Sequence, residues 1–356
     1  MGVIIKDKKK PQIDPIEKEK RGNLSFTMEQ EKQIPANAQK KRRSRIHRRA
    51  DNRQLELTER RIAELDILYH HRLADSDVFR VALKGSDQQI LRELRRLWDD
   101  GYIDRPIEQW IMHKKYQGGR GRNEIIYALT NKGMKVLQEQ DYSATKTDLD
   151  RKNKEMGETT IFHDVVLTRF WAGLKAALDQ KRERTKENYN LVLWYQDRPD
   201  RDNLKTEIEL NDGKKITIIP DGCFKLQCPK SQYLFLVEYY RTRKGGNQTY
   251  LDHLKLYNHY FRQEKYQQYR IKKGFRVLTV VPSRKIAGNL INLINGEEKN
   301  KELRHFRFWF VGEDDYRLYK KEKVNENNYR KILDVESILG PIFRTPIDEE
   351  WHSLEE

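Results

Sequence analysis

The chain has 356 residues, with 71 Lys and Arg against 55 Asp and Glu, a formal charge of +16 and a pI near 9.5. A mean hydropathy of −0.96 with 35% charged residues argues against one large apolar globule, and no apolar run approaches a membrane span or a secretory signal core. Cys223 and Cys228 have no second pair and no nearby His ligands, which excludes a zinc site and fits ordinary strand residues in a reducing cytoplasm.

Residues 1–54 hold 16 basic and 7 acidic residues, so +9 of the +16 sits there. The stretch lacks helical or strand periodicity and reads as a disordered basic arm, densest from Lys40 to Arg49 and including Arg42 and Arg43. Such a block serves either as a phosphate-neutralising arm or as a solubilising tail, and the first reading is preferred.

From Leu57 the pattern changes. Thr58 is placed to cap a helix carrying Ile62, Leu65 and Leu68, and Asp75 to cap a second with Val78, Phe79 and Ala82. Asp87 opens a third, with Leu91, Leu94, Leu97 and Trp98 on one face, ended by Gly101 in the left-handed conformation. Tyr102–Asp104, a Gly/Arg/Lys-rich tip and Ile125–Thr130 then form a hairpin. Three helices and a basic hairpin predict a winged helix-turn-helix over 55–140. Gln88, Gln89, Arg92 and Arg96 lie on the polar face of the third helix, and these side-chain types read base edges in the major groove. Lys114, Lys115, Arg120 and Arg122 in the wing supply cations for phosphates. A plain solvated helix face, or a winged helix that binds protein, is the competing reading.

Residues 141–157 read as a polar linker. Beyond them come a helix (158–178), strands over 191–195, 216–226 and 233–239, a helix (249–261), a strand (275–281), a helix (286–294) and a strand (306–311). One helix, a three-strand meander, then a helix and a strand is the core order of the PD-(D/E)XK nuclease fold. The predicted class is therefore α+β: a winged helix followed by a PD-(D/E)XK-like mixed α/β domain over 158–311, with 312–356 peripheral.

Within that domain, Ile219-Pro220-Asp221-Gly222 and Phe235-Leu236-Val237-Glu238 bring two carboxylates to one end of adjacent strands. Two close carboxylates repel unless a cation lies between them, and Mg²⁺ favours such oxygen donors. Asp221 and Glu238 are the candidate metal ligands and catalytic carboxylates; surface acids at strand ends are the alternative. Tyr240 stands where this fold usually places a lysine, so Lys255 on the next helix and Arg241 are the candidate catalytic cations. Glu158 and Asp164 are candidate additional acids, and His163 reads as a satisfied, partly buried histidine. No phosphate-binding Gly-rich loop is present, which argues against ATP-driven work. A nucleophilic role for Tyr239-Tyr240 is weaker than packing.

The chain resembles the replication-relaxation family of plasmids, phages and integrative elements. The likeness runs through Leu57-Thr58-Glu59-Arg60, Leu94 to Ile103, Tyr127 to Gly133, Ile219 to Gly222, Phe235 to Thr242 and Lys255-Leu256-Tyr257, covering roughly residues 55–295. The family tends to have an acidic residue where Tyr240 stands. The resemblance implies a DNA-processing or replication-associated factor of a mobile element; in an active site Asp221 and Glu238 would hold Mg²⁺, and the expected protein is then a cytoplasmic Mg-dependent DNA nickase. A non-catalytic DNA-binding initiator or transcriptional regulator with a degenerate nuclease fold is the alternative. Expected partners are double-stranded DNA, with a homodimer and replication or mobilisation proteins as further candidates, and no membrane.

Overall fold

The computed structural model describes residues 48, 55–83, 85–109, 124–143, 148–197, 201–241, 246–272, 274–316, 318–325, 328–348 and 350–354. Arg42 and Arg43 of the arm, and Lys114, Lys115, Arg120 and Arg122 of the wing, lie outside the described residues. The architecture is mixed α+β, as the element pattern predicts.

Apolar residues at helical spacing build the N-terminal part. Helix α1 (Glu59–His71) buries Leu65 and Leu68, and Thr58 precedes it with extended backbone but without a side-chain cap. Helix α2 (Ser76–Ala82) is capped as predicted: the Asp75 carboxylate accepts from the Asp77 and Val78 amides. Helix α3 (Asp87–Asp99) buries Ile90, Leu94, Leu97 and Trp98. Leu91, expected in this core, is only half-buried, because Ile90 continues the stripe of Leu94 and Leu97 more closely. Gly101 follows at φ +81°, as expected.

Strand β2 (Ile103–Asp104) pairs antiparallel with β3 (Ile126–Leu129), and a strand not foreseen, β1 (Leu73–Asp75), pairs with the other edge of β3. Helix α4 (Asn131–Gln138) starts at a Thr130 cap and packs so closely that a Cβ on Gly133 would lie 2.3 Å from the Tyr102 carbonyl oxygen. Only glycine permits that approach. The stretch expected as a linker carries α5 (Leu149–Lys154), whose buried Asn153 donates to the Leu129 carbonyl at 2.8 Å.

Helix α6 (Glu158–Thr185) runs seven residues past its expected end. It covers one face of a seven-stranded sheet whose strands, from one edge to the other, are 351–352, 343–344, 308–312, 276–281, 232–239, 222–227 and 190–196. Strands β4 (Asn190–Gln196), β7 (Gly222–Gln227) and β8 (Gln232–Tyr239) form an antiparallel meander. Helices α8 (Gly246–Arg262) and α9 (Arg284–Gly296) then connect β8 to β9 (Arg276–Val281) and β9 to β10 (Phe308–Gly312) in parallel. Both faces are covered, which explains the nearly continuous apolar strands. Along β8, Phe235, Val237 and Tyr239 face α6, while Leu234 and Leu236, with Tyr240 beyond, face α8 and α9.

The strand expected over 216–226 is two strands. Strand β6 (Lys215–Ile218) pairs with β5 (Thr206–Glu209), which follows the short helix α7 (Arg201–Leu204), and only β7 enters the large sheet. Pro220 has no amide hydrogen to give a ladder and marks the break. The stretch expected to be peripheral does more than decorate: after the hairpin of β11 (Tyr319–Asn325) and β12 (Asn328–Leu333), β13 (Phe343–Arg344) and β14 (Trp351–His352) extend the large sheet.

Helix α6 belongs to both halves. Ala172 lies in the N-terminal core, Ile161 and Val165 pack with Leu73, Ile126 and Ala128, and Leu167, Phe170 and Leu174 pack on the large sheet. Arg169 pairs with Asp75 at 2.5 Å, a carboxylate with no exposure. Among the described residues no helix is long and apolar enough to cross a membrane.

Candidate functional site

Antiparallel pairing of Gly222 with Val237 brings Asp221, one step before β7, opposite Glu238 on β8, as the sequence predicts. Both carboxylates lie at the sheet rim, between α6 on one face and α8 on the other, near enough for Asp221 to act on Glu238 electrostatically. From α6, His163 Nε2 lies 2.9 Å from Asp221 Oδ1, while His163 Nδ1 lies 3.0 Å from Asp164 Oδ1. The Tyr239 amide donates to Asp221 Oδ2 at 2.8 Å. From α8, His253 Nε2 sits 3.1 Å from Glu238 Oε1, and the Tyr257 hydroxyl donates to the same oxygen.

Burial shapes the charges. It opposes the charge on His163, but Asp221 and Asp164 outweigh it and raise the imidazole to about 10, so the ring is a cation at neutral pH. Burial raises the Glu238 carboxyl, and Asp221 adds to this against the opposing pull of His253 and Tyr257. Burial also raises Asp164 and Asp197. Each carboxylate of the central pair thus has its own histidine, from opposite faces of the sheet.

The other predicted residues fall around this pair. Arg241 lies over the Phe162 ring at 4.1 Å and pairs with Glu158 at 3.3 Å, against the first turn of α6. Lys255 pairs with Asp252 on its own helix at 2.8 Å, and α8 presents His253 and Tyr257, not Lys255, to Glu238. Two helical positions separate Lys255 from His253, a rotation of about 200° that puts them on opposite faces. Tyr240 is buried, with its hydroxyl on Asn247 and its ring 4.3 Å from that of Tyr250.

The spacing of His253 and Tyr257 on one helix stripe was a readable signal for the partners of Glu238. The bridging of His163 was not readable, because it depends on how α6 crosses the strand ends.

On α3, Gln88, Arg92 and Arg96 are exposed and Gln89 is half-buried. Arg96 lies 3.5 Å from Glu93, which is itself buried against Arg61 at 2.5 Å. Arg48, at the end of the basic arm, pairs with Asp104 of β2 at 3.1 Å.

All the donors of the central pair are carboxylate oxygens, and His253 and Tyr257 both engage the same oxygen of Glu238, Oε1. Asp221 adds to the rise of Glu238, a repulsion that a hard cation would relieve. The pair therefore fits Mg²⁺, which needs only one or two carboxylates with water and phosphate completing its shell. Among the described residues no group of three or more His, Cys, Asp or Glu side chains is arranged as a metal cage.

No curated protein and no solved structure matches the chain. A family model described as Replication-relaxation matches residues 65–277, more than half of it. That span runs from α1 through both carboxylates and the helix bearing His253 into β9, and the chain belongs to the replication-relaxation family.

Proposed function

We propose that the chain is a replication- or relaxation-related DNA-processing protein of a mobile element, one that binds duplex DNA through a winged helix and nicks it at Asp221 and Glu238. The observation that carries this reading is the buried Glu238 opposite Asp221, at the rim of a sheet built as one helix, an antiparallel meander and parallel helix–strand units. Asp221 and Glu238 would hold Mg²⁺, which when bound supplies Lewis acidity for a nucleophilic water and for the transferring phosphoryl group. The chain's own residues then do the positioning. His163 and the Tyr239 amide hold Asp221, while His253 and Tyr257 hold Glu238. Arg241, against the start of α6, is the better supported of the two cations for charge developing on the phosphate. Incubating the purified protein with supercoiled plasmid and Mg²⁺ or Mn²⁺ tests this; only uncut plasmid under every divalent metal would overturn it.

The second reading is a non-catalytic DNA-binding initiator or regulator. One observation favours it: each carboxylate already has a histidine partner, so the pair is held together without a metal.

Two expected results concern DNA. Arg92→Ala or Arg96→Ala relaxes sequence preference by about 1–3 kcal/mol if the guanidinium makes a bidentate base contact. Competition binding with base-substituted duplexes measures it, and equal loss on every sequence would make α3 a backbone reader. Deleting residues 1–54 flattens the dependence of affinity on salt, because the arm releases counterions from phosphates, and leaves preference intact. An unchanged slope with altered preference would remove the arm from that role.

A further inference from the structure

Asp221 is the end of a hydrogen-bonded chain that begins in the N-terminal part. Arg72 closes α1 at φ 63°, outside the helical region, and its Nη1 lies 3.2 Å from Asp164 Oδ2. The other oxygen of Asp164 meets His163 Nδ1 at 3.0 Å, and His163 Nε2 meets Asp221 Oδ1 at 2.9 Å. Asp164 is 1% exposed, so this carboxylate is held by protein groups. The turn bearing Arg72 is tied down a second time. Buried His71 Nδ1 lies 3.1 Å from Gln196 Oε1, and the Gln196 amide donates to the carbonyls of His71 and Asp164, each at 3.4 Å.

We propose that Arg72, contributed by the N-terminal part, is a positioning residue of the site: through Asp164 and His163 it sets the orientation of the Asp221 carboxylate. The inference deepens the reading of Asp221 as a metal-holding carboxylate and rests on it for its functional meaning. Arg72 holds φ 63° at the C-cap of α1, as Lys186 does at φ 59° at the end of α6, so its backbone is that of a helix stop and its side chain carries the link to Asp164. Groups that orient a metal-holding side chain act on affinity and activity together, on a scale of about 10–100-fold.

The test uses the full chain and two readouts. The first is the pair of ring-nitrogen signals of His163 in nitrogen-15 NMR, assigned by their loss in His163→Gln. In the wild type both nitrogens are expected to report hydrogen bonds to carboxylates. Arg72→Ala should shift or broaden the signals, and Arg72→Lys, which restores a donor and the charge, should recover them. Val81→Ala is the control, since Val81 packs against both the N-terminal core and the large sheet without joining the chain. Trimming it loosens the same interface and should leave both signals in place. The second readout is Mn²⁺ affinity by calorimetry, expected to fall about 10–100-fold in Arg72→Ala and to stay within about twofold in Val81→Ala. Signals that ignore Arg72→Ala, or that respond equally to Val81→Ala, overturn the proposal. A wild type that binds no Mn²⁺ overturns the metal reading instead, and the NMR comparison still decides whether Arg72 orients the site.

Discussion

Asp221→Ala is expected to lower metal-dependent nicking of supercoiled plasmid by about 10²–10³-fold, the scale on which removing one preorganised charge-stabilising group acts. The substitution deletes the carboxylate that His163 and the Tyr239 amide hold in place, and with it one of the two oxygen donors to the cation. Glu238→Gln should match it, because the amide keeps the shape that His253 and Tyr257 grip but carries no charge. Duplex affinity should hold or rise slightly in both, since phosphate attraction comes from the basic surfaces and an acid has been removed. Lys255→Ala should leave the rate within a few-fold, because Lys255 pairs with Asp252 and not with the site. Plasmid relaxation assays with filter-binding controls measure all of these together. If Asp221→Ala nicks at the wild-type rate, the chemistry lies elsewhere in the chain.

Stability is expected to fall as pH rises from about 5 to 8, and Glu64 is the reason. Its side chain has no exposure, and neither carboxyl oxygen has a hydrogen-bond partner among the described residues. Burial, reinforced by Glu93 and only partly offset by Arg60 and Arg61, raises its pKa from 4.5 to about 8. Between those values the folded chain keeps a proton that the unfolded chain releases. The stabilisation is therefore complete below pH 4.5 and is lost progressively towards pH 8, at about 1.4 kcal/mol per pH unit, or a few kcal/mol in all. Other groups titrate in this range, so the informative quantity is the difference between wild type and Glu64→Gln. Urea unfolding at pH 5, 6.5 and 8 should show a flatter profile for the variant and greater stability than wild type at pH 8. Parallel profiles would mean that water or a rearranged Arg60 neutralises Glu64 in solution.

Much of the fold was legible because helical and strand periodicities are local. Leu65 with Leu68, the Asp75 cap and the Gly101 stop mark α1 to α3 without reference to anything distant. What was not legible depends on partners far along the chain. Leu73–Asp75 is too short to show a period and is a strand only because Ile126–Ala128 lies beside it. Residues 149–154 look like linker, yet form a helix anchored by Asn153 on the Leu129 carbonyl. At the site, the opposition of Asp221 and Glu238 follows from a turn between adjacent strands and could be read directly. The face of α8 turned towards Glu238 could have been found by counting from Tyr257 back to His253, which would have set Lys255 aside. The ties of His163 to Asp164 and Asp221 could not, since they require knowing where α6 crosses the sheet.

Helix α6 carries Ala172 in the N-terminal core and Phe170 and Leu174 in the core of the large sheet, with no break between them. A hinge there would require that helix to melt. On the function proposed above, the chain is then a ruler: the base pairs read by α3 and the phosphate opposite Asp221 are separated by a fixed span of duplex. A cut would keep its offset from the recognised sequence when the intervening bases change, and would lose it when base pairs are inserted between them.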